Sequence, residues 1–145
     1  MSTDGIDSRT APYAALLLRV SLGALFLAHA GLKLFVFTPA GTERFFASLG
    51  VPGWLGLVVI AAEILTGVAL IVGFYARVAA LVMIPDLLGA IILVHSHNGF
   101  FFTAKGGGYE YPLFWAIALL VLALAGDGAW AMRPCRTACE KKQIL

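Results

Sequence analysis

Four long apolar runs, 13–37, 54–74, 78–94 and 112–130, constrain this chain more than any other feature. A helix rises about 1.5 Å per residue and needs about 20 residues to cross a hydrocarbon layer. Three runs reach that length. The third is at the short end and extends toward His97. Of the 145 residues, 61% are hydrophobic and 12% charged, about half the charge of a soluble domain. Too few polar side chains remain to coat a water-facing surface, so the expected solvent is lipid. The pattern predicts an all-α, transmembrane four-helix bundle in one domain. A formal net charge of +2 without a Lys/Arg-dense block argues against nucleic acid as a partner.

The breaks between runs carry Gly and Pro, which interrupt helices through backbone entropy and a missing N–H. They are Thr38-Pro39-Ala40-Gly41, Leu49-Gly50-Val51-Pro52-Gly53, Gly73-Phe74-Tyr75-Ala76-Arg77 and Lys105-Gly106-Gly107-Gly108. The segment 43–49 predicts a short interfacial helix. Trp54, Tyr75, Tyr109, Tyr111 and Trp130 stand at run ends, where amphipathic rings favour headgroups. The domain reading is a polar, disordered lead (1–12), the membrane domain (13–132) and a basic cytoplasmic tail (133–145). Ala28-His29-Ala30 resembles a cleavage site, but Arg19 interrupts the run before it and apolar residues continue beyond, so an uncut helix is expected.

Orientation follows from basic residues. One side holds Arg9, Arg77, Arg133, Arg136, Lys141 and Lys142, and the other only Arg44 and Lys105. Both termini are therefore expected in the cytoplasm. There Cys135 and Cys139 would stay reduced.

Charged groups at the bilayer centre cost about 3 kcal/mol each on insertion scales, so they face partners. The candidates are Arg19, His29 and Lys33 in the first run, Glu63 and Thr66 in the second, Asp86 in the third and Asp127 in the fourth. At about 100° per residue, Arg19, His29 and Lys33 share one stripe with Gly23 and Ala30, whose small size lets a neighbour approach closely. Depth along the runs predicts two patches. The inner one, a buried polar core, holds Arg19, Glu63, Asp86 and Asp127, with Arg19 contacting Glu63 or Asp127. The outer one holds His29, Lys33, His95, His97 and Glu110, with His29, Lys33 and His97 near one opening. Lys33 can alternatively snorkel to the headgroups.

Metal chemistry has little support. His29, His95 and His97 are weak candidate ligands, and His95 and His97 diverge on a helix. Cys135 and Cys139 have zinc-like spacing but no second pair. The Gly106–Gly108 run lacks the Lys and Ser/Thr of a phosphate loop and reads as a turn. No nucleophilic triad or haem, flavin or nicotinamide motif is present.

Three stretches carry a resemblance: RVSLGALFLAHAGLKLF, AAEILTGVALIVGFYAR and GGGYEYPLFWAIALLVLALAGDG. In this order and spacing, from about Leu18 to Met132, the chain resembles the DoxX family of small four-helix membrane proteins. The resemblance implies a multi-pass protein of the bacterial inner (cytoplasmic) membrane. Some relatives are associated with quinone-linked sulfur oxidation or oxidative-stress assemblies. Arg19, Gly23, Lys33, Glu63, Gly67 and Gly73 occupy positions that look recurrent in the family, which supplies no agreed catalytic set. The expected function is a small subunit or accessory of a redox system near the quinone pool. His29, Lys33, Glu63 and His97 are the candidate quinone contacts, and any redox cofactor sits in a membrane or cytoplasmic partner. The rival readings are a non-enzymatic scaffold or assembly factor and a small-molecule carrier. Self-association stays open.

Overall fold

The computed structural model describes residues 5 and 7–132, and the described residues are all-helical. Helix α1 spans Ala11–Gly31 and runs on as a π-helical turn, Leu32–Val36. Helix α2 spans Pro39–Ser48, α3 Leu55–Val72 and α4 Ala76–Ala90. A π turn, Ile91–His95, and a 3₁₀ turn, Ser96–Asn98, extend α4, and α5 spans Glu110–Ala125. With its extension, α1 reaches 26 residues, α3 has 18 and α4 reaches 23, all long and apolar enough to cross a membrane, whereas α5 has 16. The interfacial helix expected over 43–49 is the end of the longer α2. Pro39 starts it early, because a proline at the first helical position loses no needed donor. The Thr38 hydroxyl accepts a hydrogen bond from the Gly41 amide and caps it. The lead expected over 1–12 is helical from Ala11. The tail, with Cys135 and Cys139, lies outside the described residues.

The four long helices form a ring in which α1 packs on α3, α3 on α4, α4 on α5 and α5 on α1. Polarity is inverted relative to a soluble protein. Leu17, Leu65 and Leu124 are 70%, 71% and 74% exposed, while Arg19, Glu63 and Asp127 are 1%, 3% and 6% exposed. Water as solvent would reverse that order. The bundle is therefore a multi-pass membrane domain in contact with the lipid bilayer. Small residues set the closest approach. A Cβ on Gly23 would lie 2.7 Å from the Gly67 carbonyl oxygen, so α1 and α3 touch backbone to backbone there.

The described segments before α1 and after α5 meet at one end of the bundle, the terminal end. The Ala129 amide donates to the Pro12 carbonyl and the Met132 amide to that of Val72. The turn from α3 to α4 needs left-handed backbone at Gly73 (φ 74°) and Tyr75 (φ 47°). Asp127 fastens this turn to α5. Its carboxylate accepts from the Arg77 amide at 3.0 Å, in the first turn of α4, and the Arg77 Nε donates to the Ala123 carbonyl at 2.8 Å. An acid near the end of its own helix is thus stabilised at the positive start of another. Asp127→Ala should cost about 1 kcal/mol, the usual loss for an N-terminal cap, with Asp127→Asn recovering most of it. Equilibrium unfolding in mixed micelles measures both, and equal stability of the alanine variant would refute the cap.

Candidate functional site

The opposite, loop end holds the polar side chains that the terminal end does not use. Lys33 sits in the π turn after α1, where wider winding re-aims side chains. Its Nζ donates to Glu63 Oε1 at 2.6 Å, the ion pair of the bundle interior. The Thr42 hydroxyl, buried, reaches the carbonyls of Lys33 and Thr38 and ties α2 to this turn. Lys33 also walls a small cleft of about 400 Å³ with Phe37, Thr42, Phe45 and Phe46. Asp86 lies on α4 and is half-buried. The Lys33–Glu63 pair ties the end of α1 to α3 across the bundle.

His29 opens onto a second, larger cavity of about 870 Å³. Its other walls are His95, Phe100, Phe102, Glu110, Tyr111 and Phe114. The His29 ring packs on Trp115 at 4.9 Å and lies nearly parallel to Tyr111 at 6.3 Å. Its Nδ1 lies 3.0 Å from the Leu25 carbonyl, and Nδ1 of His95 lies 2.9 Å from that of Gly107. A carbonyl only accepts, so both Nδ1 atoms carry the proton. The Nε2 of a neutral ring is then left as an acceptor.

The loop over this cavity is shaped by its glycines. Gly106 and Gly107 have φ of 92° and 75°, and Asn98 Nδ2 donates to both their carbonyls. A Cβ on Gly108 would collide with the carbonyls of Phe100 and Phe101. The Gly106–Gly108 run is thus the turn expected of it. Glu110 Oε1 accepts from the Phe102 amide at 2.8 Å and pins the loop to the first turn of α5.

Several sequence expectations change. Glu63 does not belong with Arg19 in an inner patch, because Lys33 holds it. Nor does Lys33 snorkel to the headgroups. The Arg19 Nη2 donates to the Ala129 carbonyl at 3.2 Å, and the guanidinium lies in the field of Asp127. Its Nε and Nη1 are buried without a hydrogen-bond partner. A Cβ on Gly73 would fall on this guanidinium, so glycine makes its room. His29, Lys33 and His97 do not share one opening. His29 and His95 wall the larger cavity, Lys33 walls the smaller cleft, and His97 stands exposed on the 3₁₀ turn. Among the described residues, no three His, Cys, Asp or Glu side chains stand close enough to hold a metal ion. The cavity wall of Phe100, Phe102, Tyr111 and Phe114 had no sequence signal beyond aromatic content, and the role of Thr42 had none.

The model of the DoxX family matches residues 14–96, which include His29, Lys33, Glu63, Asp86 and His95. A protein of Bacillus subtilis (strain 168), named "Putative oxidoreductase CatD", is 34% identical over 119 residues, 82% of this chain and 84% of its own length. No solved structure matches. The family match over more than half the chain, and a relative aligned along most of it, agree with the inverted bundle and its buried polar pair: the chain belongs to the DoxX family.

Proposed function

We propose that the protein is a ligand-binding membrane subunit of a redox system, and that its ligand is a quinone or the corresponding hydroxyl-bearing reduced form. The observation that carries this reading is the cavity beside His29. It has the size and aromatic lining of a small-molecule site, with a few polar groups placed to orient a ring. Two imidazoles on its wall have Nδ1 committed to the main chain. An imidazole held in this tautomer presents Nε2 as the acceptor for a ring hydroxyl. The relative's printed name, an oxidoreductase, supports the reaction class. This reading assigns the electron-carrying group to a membrane or cytoplasmic partner. It also places both termini in the cytoplasm of a bacterial inner membrane, as the basic residues favour.

Trp115 packs on His29 and is a built-in reporter. A short-tailed quinone, and separately its reduced form, should quench its fluorescence saturably in the purified protein with Trp54 and Trp130 replaced by Phe. His29→Ala should weaken binding of the reduced form about 5- to 10-fold, the worth of one hydrogen bond near 1 kcal/mol. Unsaturable quenching, or equal affinity in the variant, would reject the site.

A further inference from the structure

We infer that the cavity beside His29 opens sideways into the bilayer, between Phe102 and Phe114, and that its ligand is a ring compound with one long apolar tail. The ring sits against His29 while the tail stays among the lipid chains. The inference rests on the ring-binding reading above and adds to it the route of entry and the tail.

The first observation is height. The His29 ring packs on Trp115 at 4.9 Å and faces Tyr111 at 6.3 Å. Phe114 lies between those two residues in α5 and walls the same cavity. The polar end of the cavity and its Phe114 side therefore stand at one level. That level is inside the apolar span of α5 rather than above it.

The second observation is how each wall is held. The roof over the cavity, 99–109, is fastened by its backbone. The Tyr109 amide donates to the Gly99 carbonyl at 3.1 Å, the Glu110 amide to that of Phe100 at 3.0 Å and the Gly108 amide to that of Phe101 at 3.1 Å. His95 Nδ1 and Asn98 Nδ2 donate to the Gly107 carbonyl at 2.9 and 3.1 Å, and Glu110 holds the Phe102 amide. Opening the roof breaks these bonds together. The side wall has no such ties. It is made of the rings of Phe100, Phe102 and Phe114, which line the cavity and are also exposed on the outer surface. Phe102 meets Tyr111 only edge-on, at 6.3 Å. A phenylalanine ring forms no strong hydrogen bond, and exposed side chains change rotamer within nanoseconds. The side wall therefore parts without the losses that opening the roof would bring.

The third observation concerns what waits outside. Phe114 is 71% exposed on a helix of a membrane bundle, so its outer face meets lipid chains. Below it Ile117, Val121 and Leu124 continue one exposed stripe along α5 for about 15 Å. A tail that leaves the cavity past Phe114 follows this stripe, parallel to the lipid chains, and stays in the apolar layer throughout. The same tail passing through the roof would have to cross the polar loop.

The test uses the full chain in lipid vesicles, with Trp54 and Trp130 replaced by Phe and Cys135 and Cys139 by Ser. The probes are two quinones with the same ring, one short-tailed and one with a long isoprenoid tail ending in a photoreactive diazirine. Both should quench Trp115 saturably and with similar affinity per mole of lipid, because the tail has the same surroundings bound and free. Illumination should attach the long tail to α5 between Phe114 and Leu124. Phe114→Cys carrying a bulky maleimide should slow association of the tailed probe about tenfold, an effect on rate that a blocked entrance produces. Asn98→Ala loosens only the roof and should leave that rate within about twofold, the usual scatter of a substitution outside the site. Saturable quenching by the short-tailed probe alone, adducts confined to the 99–109 loop, or a rate raised by Asn98→Ala and unchanged by the Phe114 adduct would each overturn the inference and leave the ring site standing. Saturable quenching by neither probe would overturn both.

Discussion

Lys33→Met is expected to destabilise the bundle by about 3 kcal/mol, the lower end for one partner removed from a buried ion pair. The lower end applies because the Lys33 side chain is 21% exposed, whereas that of Glu63 is only 4% exposed. The cost is not the lost attraction alone. Glu63 would stay on the inner face of α3 with neither oxygen partnered, since Oε2 already lacks a hydrogen bond. Adding Glu63→Leu should recover most of the loss, because two apolar groups of suitable shape often replace such a pair at little cost. The deficit of the single variant should shrink as pH falls, since protonation removes the stranded charge. Equilibrium unfolding in mixed micelles across pH measures all three effects. A single variant within about 0.5 kcal/mol of the parent, the usual scatter of surface substitutions, would show that water reaches Glu63.

Gly23→Ala should be the next most damaging change, and it sets two principles against each other. Intrinsic propensity favours Ala over Gly in a helix by about 1 kcal/mol. Space decides the other way. The new Cβ would sit 2.7 Å from the Gly67 carbonyl oxygen and 2.8 Å from Ile71 Cγ1. The first of these is backbone and yields only if α1 and α3 separate. Overpacking typically costs about 1–3 kcal/mol, so the net effect is destabilising, and Gly23→Leu should prevent assembly. Gly67→Ala should be milder, because its closest contact is the flexible Leu27 side chain at 2.8 Å. The same unfolding assay ranks the variants, and a Gly23→Ala protein more stable than the parent would overturn the close-approach argument.

The helices were legible because lipid as solvent demands long apolar runs, and their length survives any detail of packing. The stripe carrying Arg19, Gly23 and Ala30 was legible for the same reason, since rotation at a regular angle holds along most of α1. The partner of Glu63 was not. Lys33 falls just where α1 widens into a π turn, and depth counted along a straight helix puts it too far out. His95 and His97 looked alike in sequence. The π turn brings His95 to the Gly107 carbonyl, while the 3₁₀ turn leaves His97 outside. Asp127 lies just past the end of α5, where the helix dipole disfavours a carboxylate. Its favourable place at the start of α4 depends on a contact fifty positions away. The cavity arises from the fold of the loop before α5, which local propensity does not specify.

Helix α5 has 16 residues, about 24 Å at the usual rise, against a hydrocarbon layer of about 30 Å. Helix α1 with its π turn has 26 residues, about 39 Å. The two neighbours therefore make opposite demands on the bilayer. A short span is met by local thinning of the bilayer, and a long one by tilt, kinking or local thickening. The exposed rings of Phe100, Phe101 and Phe102 stand just past the short helix, where they lengthen its apolar flank. The two neighbours thus differ in apolar height, and the shorter one lines the cavity. Hydrophobic mismatch of this kind sorts proteins among membranes of different thickness and draws together surfaces that share the same deficit. The α5 flank is consequently the side on which bilayer thickness itself acts as a selective force.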